Sequence, residues 1–323
     1  MDGYIVGLDG SSAPASRSAV ETALSKDQLL WLDLRMPDDE AVEMLRDVFK
    51  FHPVALEDVG EFGQRPKAER FGDVVYIVAY AATSFMGELI EVHAFYAENF
   101  LVTARRKGCD SLDEVRRRVE LEGGLHVPAD RPLRGVMLHH VLDSMIDSFF
   151  SPLSELDDKI DELQEQIFAS PTKENLATLL SMQRWLVGLR KTASPQRDVM
   201  AAILGSVVEL PGHSEGAVPY LRDLYDHVIR ITDLIDSYRD LLSGSMDAYL
   251  SMVSNKLNEV MKQLTIIATV FLPLSFLTGF FGQNFAWLVG HLGGLPAFLL
   301  IGIGTEVVAV GGLYWLFRRR GFL

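Results

Sequence analysis

Two stretches near the C-terminus are too apolar for the surface of a soluble protein, and they constrain everything the chain can fold into. Residues 264–282, LTIIATVFLPLSFLTGFFG, contain no charge, and residues 295–317, LPAFLLIGIGTEVVAVGGLYWLF, contain one, Glu306. At the helical rise they reach about 28 and 34 Å, enough to cross a hydrocarbon core of about 30 Å. Both are predicted to be transmembrane helices.

Charge around these segments predicts their orientation. Lys256 and Lys262 precede the first, Arg318, Arg319 and Arg320 follow the second, and residues 284–294 between them contain no Lys or Arg. That asymmetry places both termini in the cytoplasm and the short loop outside an inner or plasma membrane. The start, MDGYIVGLDG, has no basic segment leading into an apolar one, so no cleaved signal peptide is expected. Residues 264–323 carry a net charge of +2 within a chain of −14, so the 263 residues before them carry −16. An acidic cytoplasmic body disfavours nucleic acid and anionic lipid headgroups and favours cations. The single cysteine, Cys109, excludes an internal disulfide framework and fits a reducing compartment.

Residues 1–130 read as a mixed α/β domain. LLWLDLR (29–35), VVYIVAY (74–80), LIEVHAFYA (89–97) and NFLVTAR (99–105) are predicted strands of one sheet, the last two paired; DDEAVEMLRDVF (38–49) has helical spacing. Residues 131–219 read as an antiparallel helical pair, the first helix covering 133–169 and ending before Pro171. Within it, the acids of SELDDKIDELQEQIF form a solvated face. From Tyr220 no proline intervenes until Pro273, and apolar residues recur in alternating steps of four and three from Leu224 to Met252, broken only at Ser245. This is a heptad seam on a stalk helix (220–263) that continues into the first span (264–283), and it predicts oligomerisation.

The same helix carries a second stripe. Asp226, Asp233, Asp240 and Asp247 stand seven residues apart, and the stripe continues through Ser251, Ser254, Asn258 and Met261 to Leu272, Ser275 and Gly279. In a symmetric ring each position becomes a ring of identical groups. Acidic rings concentrate cations, polar rings carry hydrated ones, and apolar rings gate by dewetting. A solvated helix face is the plainer meaning of the aspartates alone. Gln283 and Asn284 are two neutral carboxamides where the first span stops, and a membrane anchor has no need of them.

YLRDLYDHVIRITDLIDSYRD, the run from YLSMVSNKLNEV to LTGFFGQNF, the final FRRRGFL and the upstream HPVALEDVGEFGQRPKAERFGDVVYIV together resemble the CorA family of divalent-cation transport proteins, most densely over 219–285. The resemblance implies a homopentameric funnel. Each chain would contribute an α+β cytoplasmic αβα domain, a long stalk helix, a pore-lining first span and a surrounding second span (295–317) with a basic tail (318–323). The family's Gly-Met-Asn signature reads Gly282-Gln283-Asn284 here. The resemblance makes this the selectivity filter, with neutral oxygens meeting the hydration shell that Mg²⁺ sheds reluctantly. It likewise implies pore-lining Asn258, Met261, Leu264, Leu272 and Ser275, with Met261, Leu264 and Leu272 as the constriction, and the stripe adds Asp247 as the acidic ring leading to them. Arg318, Arg319 and Arg320 would form a basic ring at the cytoplasmic entrance. Asp58 and Asp223 of adjacent chains, with Glu57 nearby, would hold a regulatory cation.

The implied activity is Mg²⁺ uptake, extending to Co²⁺ and Ni²⁺, driven by the membrane potential. Three departures keep other readings open: Gln in place of the signature Met, an outer loop whose one titratable group is His291, and Glu306 inside the second span. These suit a ZntB-like Zn²⁺ importer linked to protons, or packing of Glu306 by hydrogen bonding to a neighbouring helix. A membrane-anchored metal sensor that conducts nothing is the reading from a different class. His52 is expected to cap or pack, and at least one of His139 and His140 to face solvent. The chain has no glycine-rich phosphate loop with lysine, no Cys/His cluster of structural-zinc spacing and no nucleophile motif, so no enzyme is expected.

Overall fold

The β-branched and aromatic runs form one seven-stranded sheet. In the computed structural model, which describes residues 2–7, 9–26, 29–36, 38–122, 133–212, 215–283, 286–291 and 293–320, the strands are β1 (Gly3–Gly7), β2 (Ser12–Pro14), β3 (Leu30–Arg35), β4 (Lys67–Phe71), β5 (Val74–Ala82), β6 (Leu89–Tyr96) and β7 (Phe100–Arg105). Their order is β2-β1-β3-β7-β6-β5-β4. Only β3 and β7 run parallel, in a register that sets Asp33 against Thr103. The predicted β6–β7 pair is antiparallel, with Phe95 opposite Val102.

Helices cover both faces, which is why the central strands are apolar on both sides. On one face lie α1 (Arg17–Ser25), α2 (Asp39–Asp47) and α3 (Pro53–Glu61), whose Val20, Met44, Leu45 and Val59 pack on Leu32, Phe95 and Val102. Asp38 caps α2 by accepting from the Ala41 N–H at 3.2 Å. An aromatic stack runs through this core: Phe51 lies 4.0 Å from Phe95, and Phe95 lies 4.9 Å from Tyr76. The opposite face is covered by α5 (Leu133–Asp147) and α7 (Lys173–Leu204), with α4 (Asp110–Leu121) packed against α5. In the sheet itself a buried Arg105 donates to Asp33 at 2.8 Å, and Thr103 donates to the other carboxylate oxygen at 2.7 Å. The ion pair is tolerated because its hydrogen bonds are satisfied.

The helix predicted over 133–169 is two helices, α5 and α6 (Phe150–Ala169), interrupted at Ser148 and Phe149. Pro152 favours that break, since it has no N–H to give the Ser148 carbonyl four residues earlier and its ring crowds that carbonyl in a continuous helix. Tertiary structure uses the interruption: Ser148 Oγ accepts from the Ala82 N–H of β5 at 2.8 Å. Helix α7 opens with a capping box between Thr172 and Asn175. Further along, its Gln196 accepts from the Tyr80 N–H at 2.9 Å, where β5 runs past the end of β4. The acids of α6 are exposed, as expected of a solvated face.

The chain divides into two units, Met1–Met246 and Asp247–Leu323. Helix α8 (Val218–Phe281) buries the predicted seam at Leu224, Val228, Ile231, Ile235, Tyr238 and Leu242. Ser245 stays within the seam as a buried polar member, accepting from Gln164 Nε2 at 2.9 Å and donating to the Leu241 carbonyl at 2.8 Å. In the second unit lie α9 (Ala286–His291) and α10 (Leu295–Arg319). The 18-residue apolar windows of α8 and α10 have no buried residues, so their Leu, Val and Phe side chains face outward. Such a surface is stable only against lipid or other copies of the chain.

Replacing Phe95 by Ala removes the middle of the aromatic stack. We expect a loss of about 3–5 kcal/mol, read as a lower unfolding midpoint of the full-length protein in detergent.

Candidate metal centre and ion path

Helical spacing puts His139, Asp143 and Asp147 on one face of α5, at steps of four, and Asp223 and His227 on one face of α8. These faces meet inside the first unit. His227 Nδ1 lies 2.8 Å from Asp147 Oδ1 and 4.0 Å from Asp143 Oδ1, while its Nε2 lies 3.8 Å from Asp223 Oδ1. Phe150 stands edge-on to the His227 ring at 5.8 Å and limits its movement. Two triads have ligand atoms all within 4.8 Å of one another: His139, Asp143 and Asp223, and Asp143, Asp147 and His227.

Asp143 belongs to both triads and is electrostatically the least comfortable. Burial pushes its carboxyl above the ordinary 3.8, and the neighbouring Asp147 and Asp223 push it further, while His227 and His140 pull against them. Carboxylates held this close repel unless a cation lies between them. Oxygen ligands alone suit Mg²⁺, which retains several waters; adding imidazole suits Co²⁺, Ni²⁺ and Zn²⁺. The donor set therefore fits a hydrated Mg²⁺ on the carboxylates or a borderline metal on carboxylate and histidine.

The predicted regulatory residues are distributed differently within one chain. Asp223 lies in this cluster. Asp58, on α3, accepts from Lys67 Nζ at 2.7 Å, and the same ammonium reaches Glu69 at 3.3 Å. Burial works against the Lys67 charge, but the hydrogen bond to Asp58 and the charges of Glu69 and Asp58 outweigh it and raise the lysine's pKa. A metal ion at Asp58 must therefore compete with a resident ammonium. Glu57 is exposed. The end of α3 is pinned from below: Glu91 accepts from the Gly63 and Gln64 N–H groups at 2.6 and 2.9 Å, and its Oε1 lies 2.8 Å from His93 Nε2. The other nitrogen of His93 lies 2.5 Å from the Tyr76 hydroxyl. His52 caps α3, its Nδ1 accepting from the Val54 N–H at 3.3 Å, and it stacks on Phe71. His139 and His140 are both half-buried, so neither projects fully into solvent.

Along α8 the second stripe is open in the single chain: Asp247, Asn258, Met261, Leu264, Leu272 and Ser275 are all exposed. The helix ends at Phe281, the Gly282 N–H donates to the Thr278 carbonyl at 2.9 Å, and the Gln283 N–H donates to Phe280. Asn284 lies outside the described residues. Arg318 and Arg319 close the last turn of α10, and Arg320 caps it.

Sequence reasoning named Asp223 but missed Asp143, Asp147, His139 and His227 as a group. The signal was present in HHVLDSMID and DLYDH, where His and Asp recur at helical steps of four. What it lacked was the knowledge that those two faces pack on each other.

The model of the CorA-like Mg²⁺ transporter protein family matches residues 26–319, which include both apolar helices and the Gly-Gln-Asn junction. The chain belongs to this family. Its members are ion transporters, not enzymes. Among curated relatives, the cobalt/magnesium transport protein CorA of Thermotoga maritima is 38% identical over 253 residues, covering 77% of this chain and 71% of that protein. The zinc transport protein ZntB of Yersinia enterocolitica is 24% identical over 323 residues, covering 97% of this chain and 94% of that protein. The structure of the CorA magnesium transporter from Methanocaldococcus jannaschii superposes with a TM-score of 0.80 at 22% identity, covering 100% of this chain and 99% of that one. The fold is that of the family: a mixed-sheet domain, a long helix and two apolar C-terminal helices.

A cation at the α5–α8 cluster should stabilise the protein by about 2.7 kcal/mol at a hundred times its Kd. Adding Mg²⁺ or Co²⁺ is expected to raise the unfolding midpoint, EDTA to reverse the rise, and Asp143→Asn to abolish it. Binding requires the ionised carboxylate and Asp143 holds its proton to higher pH than an ordinary aspartate. The stabilisation should therefore weaken on acidification at a pH above 3.8. Midpoints measured with and without metal across pH check the sign.

Proposed function

We propose that this divalent-cation transporter of the CorA family is a Mg²⁺ channel, extending to Co²⁺ and Ni²⁺, and that intracellular divalent cation closes it. The family match running through both apolar helices and the Gly-Gln-Asn junction carries the reading. The potential supplies about 2.3 kcal/mol per charge per 100 mV, so about twice that for a divalent ion, and no nucleotide is required. Five copies arranged as a ring would turn the exposed stripe of α8 into an axial path. Gly282, Gln283 and Asn284 would form its outer mouth, Met261, Leu264 and Leu272 its dewetting constriction, and Asp247 and Asn258 its cation-attracting entrance. Arg318, Arg319 and Arg320 would set the opposing barrier, with both termini cytoplasmic.

The regulatory cation has two candidate seats. One is the Asp143, Asp147, Asp223 and His227 cluster, whose repulsion a cation relieves. The other bridges Asp58 of one protomer to Asp223 of the next, with Glu57 beside it, and requires Lys67 to release Asp58. Both share Asp223, so loading of one is coupled to the other. A cation on the Asp58–Asp223 seat would hold neighbouring protomers together in the closed ring, and losing it would let them move apart; a cation on the cluster would act within one protomer, by fixing α5 against α8.

A Zn²⁺ importer is the second reading, favoured by the ZntB relatives, which match nearly the whole chain, and by the imidazoles in the cluster. Proteoliposomes at a fixed membrane potential separate the two. Mg²⁺ entry that Asn284→Ala abolishes, with assembly intact, is the expected result. Zn²⁺ entry without Mg²⁺ would move the chain to the second reading, and no flux of either ion would make it a sensor.

A further inference from the structure

Glu306 is the single charged-type residue within either apolar segment, and the geometry around it assigns its proton. In the second unit, Thr278 Oγ1 of α8 lies 3.1 Å from Glu306 Oε1 of α10 and 2.7 Å from the Leu274 carbonyl oxygen. A threonine hydroxyl has one proton and two lone pairs. The shorter contact is the bond a helical threonine makes back to the carbonyl four residues earlier, and Thr265 makes the same bond to Met261 at 2.7 Å. With its proton directed at Leu274, Oγ1 meets Glu306 as an acceptor. A carboxylate there would set lone pair against lone pair and place an ionised group in hydrocarbon, which is costly. A carboxylic acid removes both penalties by donating its proton to Thr278.

Local backbone geometry supports the same contact. Phe298–Ile303 is a π-helical segment, closed by a bond from the Gly304 N–H to the Leu299 carbonyl. A π turn holds one residue more than an α turn, so the faces that follow are rotated by about 100°. Glu306 follows within three residues, and its direction toward Thr278 depends on that rotation. Thr278 is also the residue whose carbonyl receives the Gly282 N–H at 2.9 Å. The side chain that Glu306 holds therefore belongs to the last turn before Gly282 and Gln283.

We propose that Glu306 is a positioning residue for the end of α8: a neutral carboxylic acid that donates to Thr278 Oγ1 and ties α10 to the final turn before Gly282 and Gln283. The assignment requires α8 and α10 to lie in a membrane and is independent of which ion is carried or whether any is.

Infrared spectroscopy of the full-length protein in lipid bilayers at neutral pH tests it without a transport assay, with ¹³C-labelled glutamate identifying the band. The expected result is a carboxylic-acid carbonyl band that is lost in Glu306→Gln, retained at its wild-type position in Thr278→Ser, and shifted to higher frequency in Thr278→Val. A glutamate signal consisting of carboxylate alone, or an acid band indifferent to Thr278→Val, would overturn the proposal. The wild-type and Thr278→Val comparison stands even where Glu306→Gln fails to assemble.

Discussion

A single helix has to satisfy two solvents, and the burial of one face of α8 is the interaction on which the rest depends. Leu224, Val228, Ile231, Ile235, Tyr238 and Leu242 are removed from water within the first unit, while Asp226, Asp233 and Asp240 on the same turns stay exposed. Burial of an aliphatic side chain stabilises by about 1.5–3 kcal/mol relative to exposure, so these five aliphatic residues, with Tyr238, lock the rotation of this part of the helix about its axis. That rotation decides where Asp223 and His227 point.

Polar groups placed against an apolar background mark the sites, and each is bound by a specific hydrogen-bond account. Ser245 keeps its place in the seam because it accepts from Gln164 and donates to Leu241. Glu91 holds the end of α3 through two backbone N–H groups. The α5–α8 cluster differs, because among the described residues its three carboxylates are paired with His227 rather than with a lysine or arginine. Asp143 is half-buried there while Asp147 and Asp223 are exposed, whereas the Asp58 carboxylate is already paired with Lys67.

Much of the architecture could be read from periodicity. Four strands, the helix beginning near Asp39 and both apolar C-terminal helices were recognisable because burial on one face or both imposes a repeat of two, a repeat of 3.6, or an unbroken apolar run. The strands β1, β2 and β4 were missed because they are short and mostly half-exposed, β2 and β4 at the two edges of the sheet and β1 next to one of them, and so show no such repeat. The break at Ser148 was missed because an otherwise continuous apolar pattern concealed the effect of Pro152.

The sequence by itself determined the membrane-length segments, their charge asymmetry, the family and the Gly-Gln-Asn junction, all of them properties of consecutive residues that composition and spacing carry. Only the tertiary structure decided that His139, Asp143 and Asp147 face Asp223 and His227, that Asp58 is held by Lys67, and that Thr278 meets Glu306. Those contacts join residues 80, 9 and 28 positions apart in the chain. They arise because two elements, each placed by its own apolar face, present their polar remainder to each other, and no local repeat records where the partner will lie.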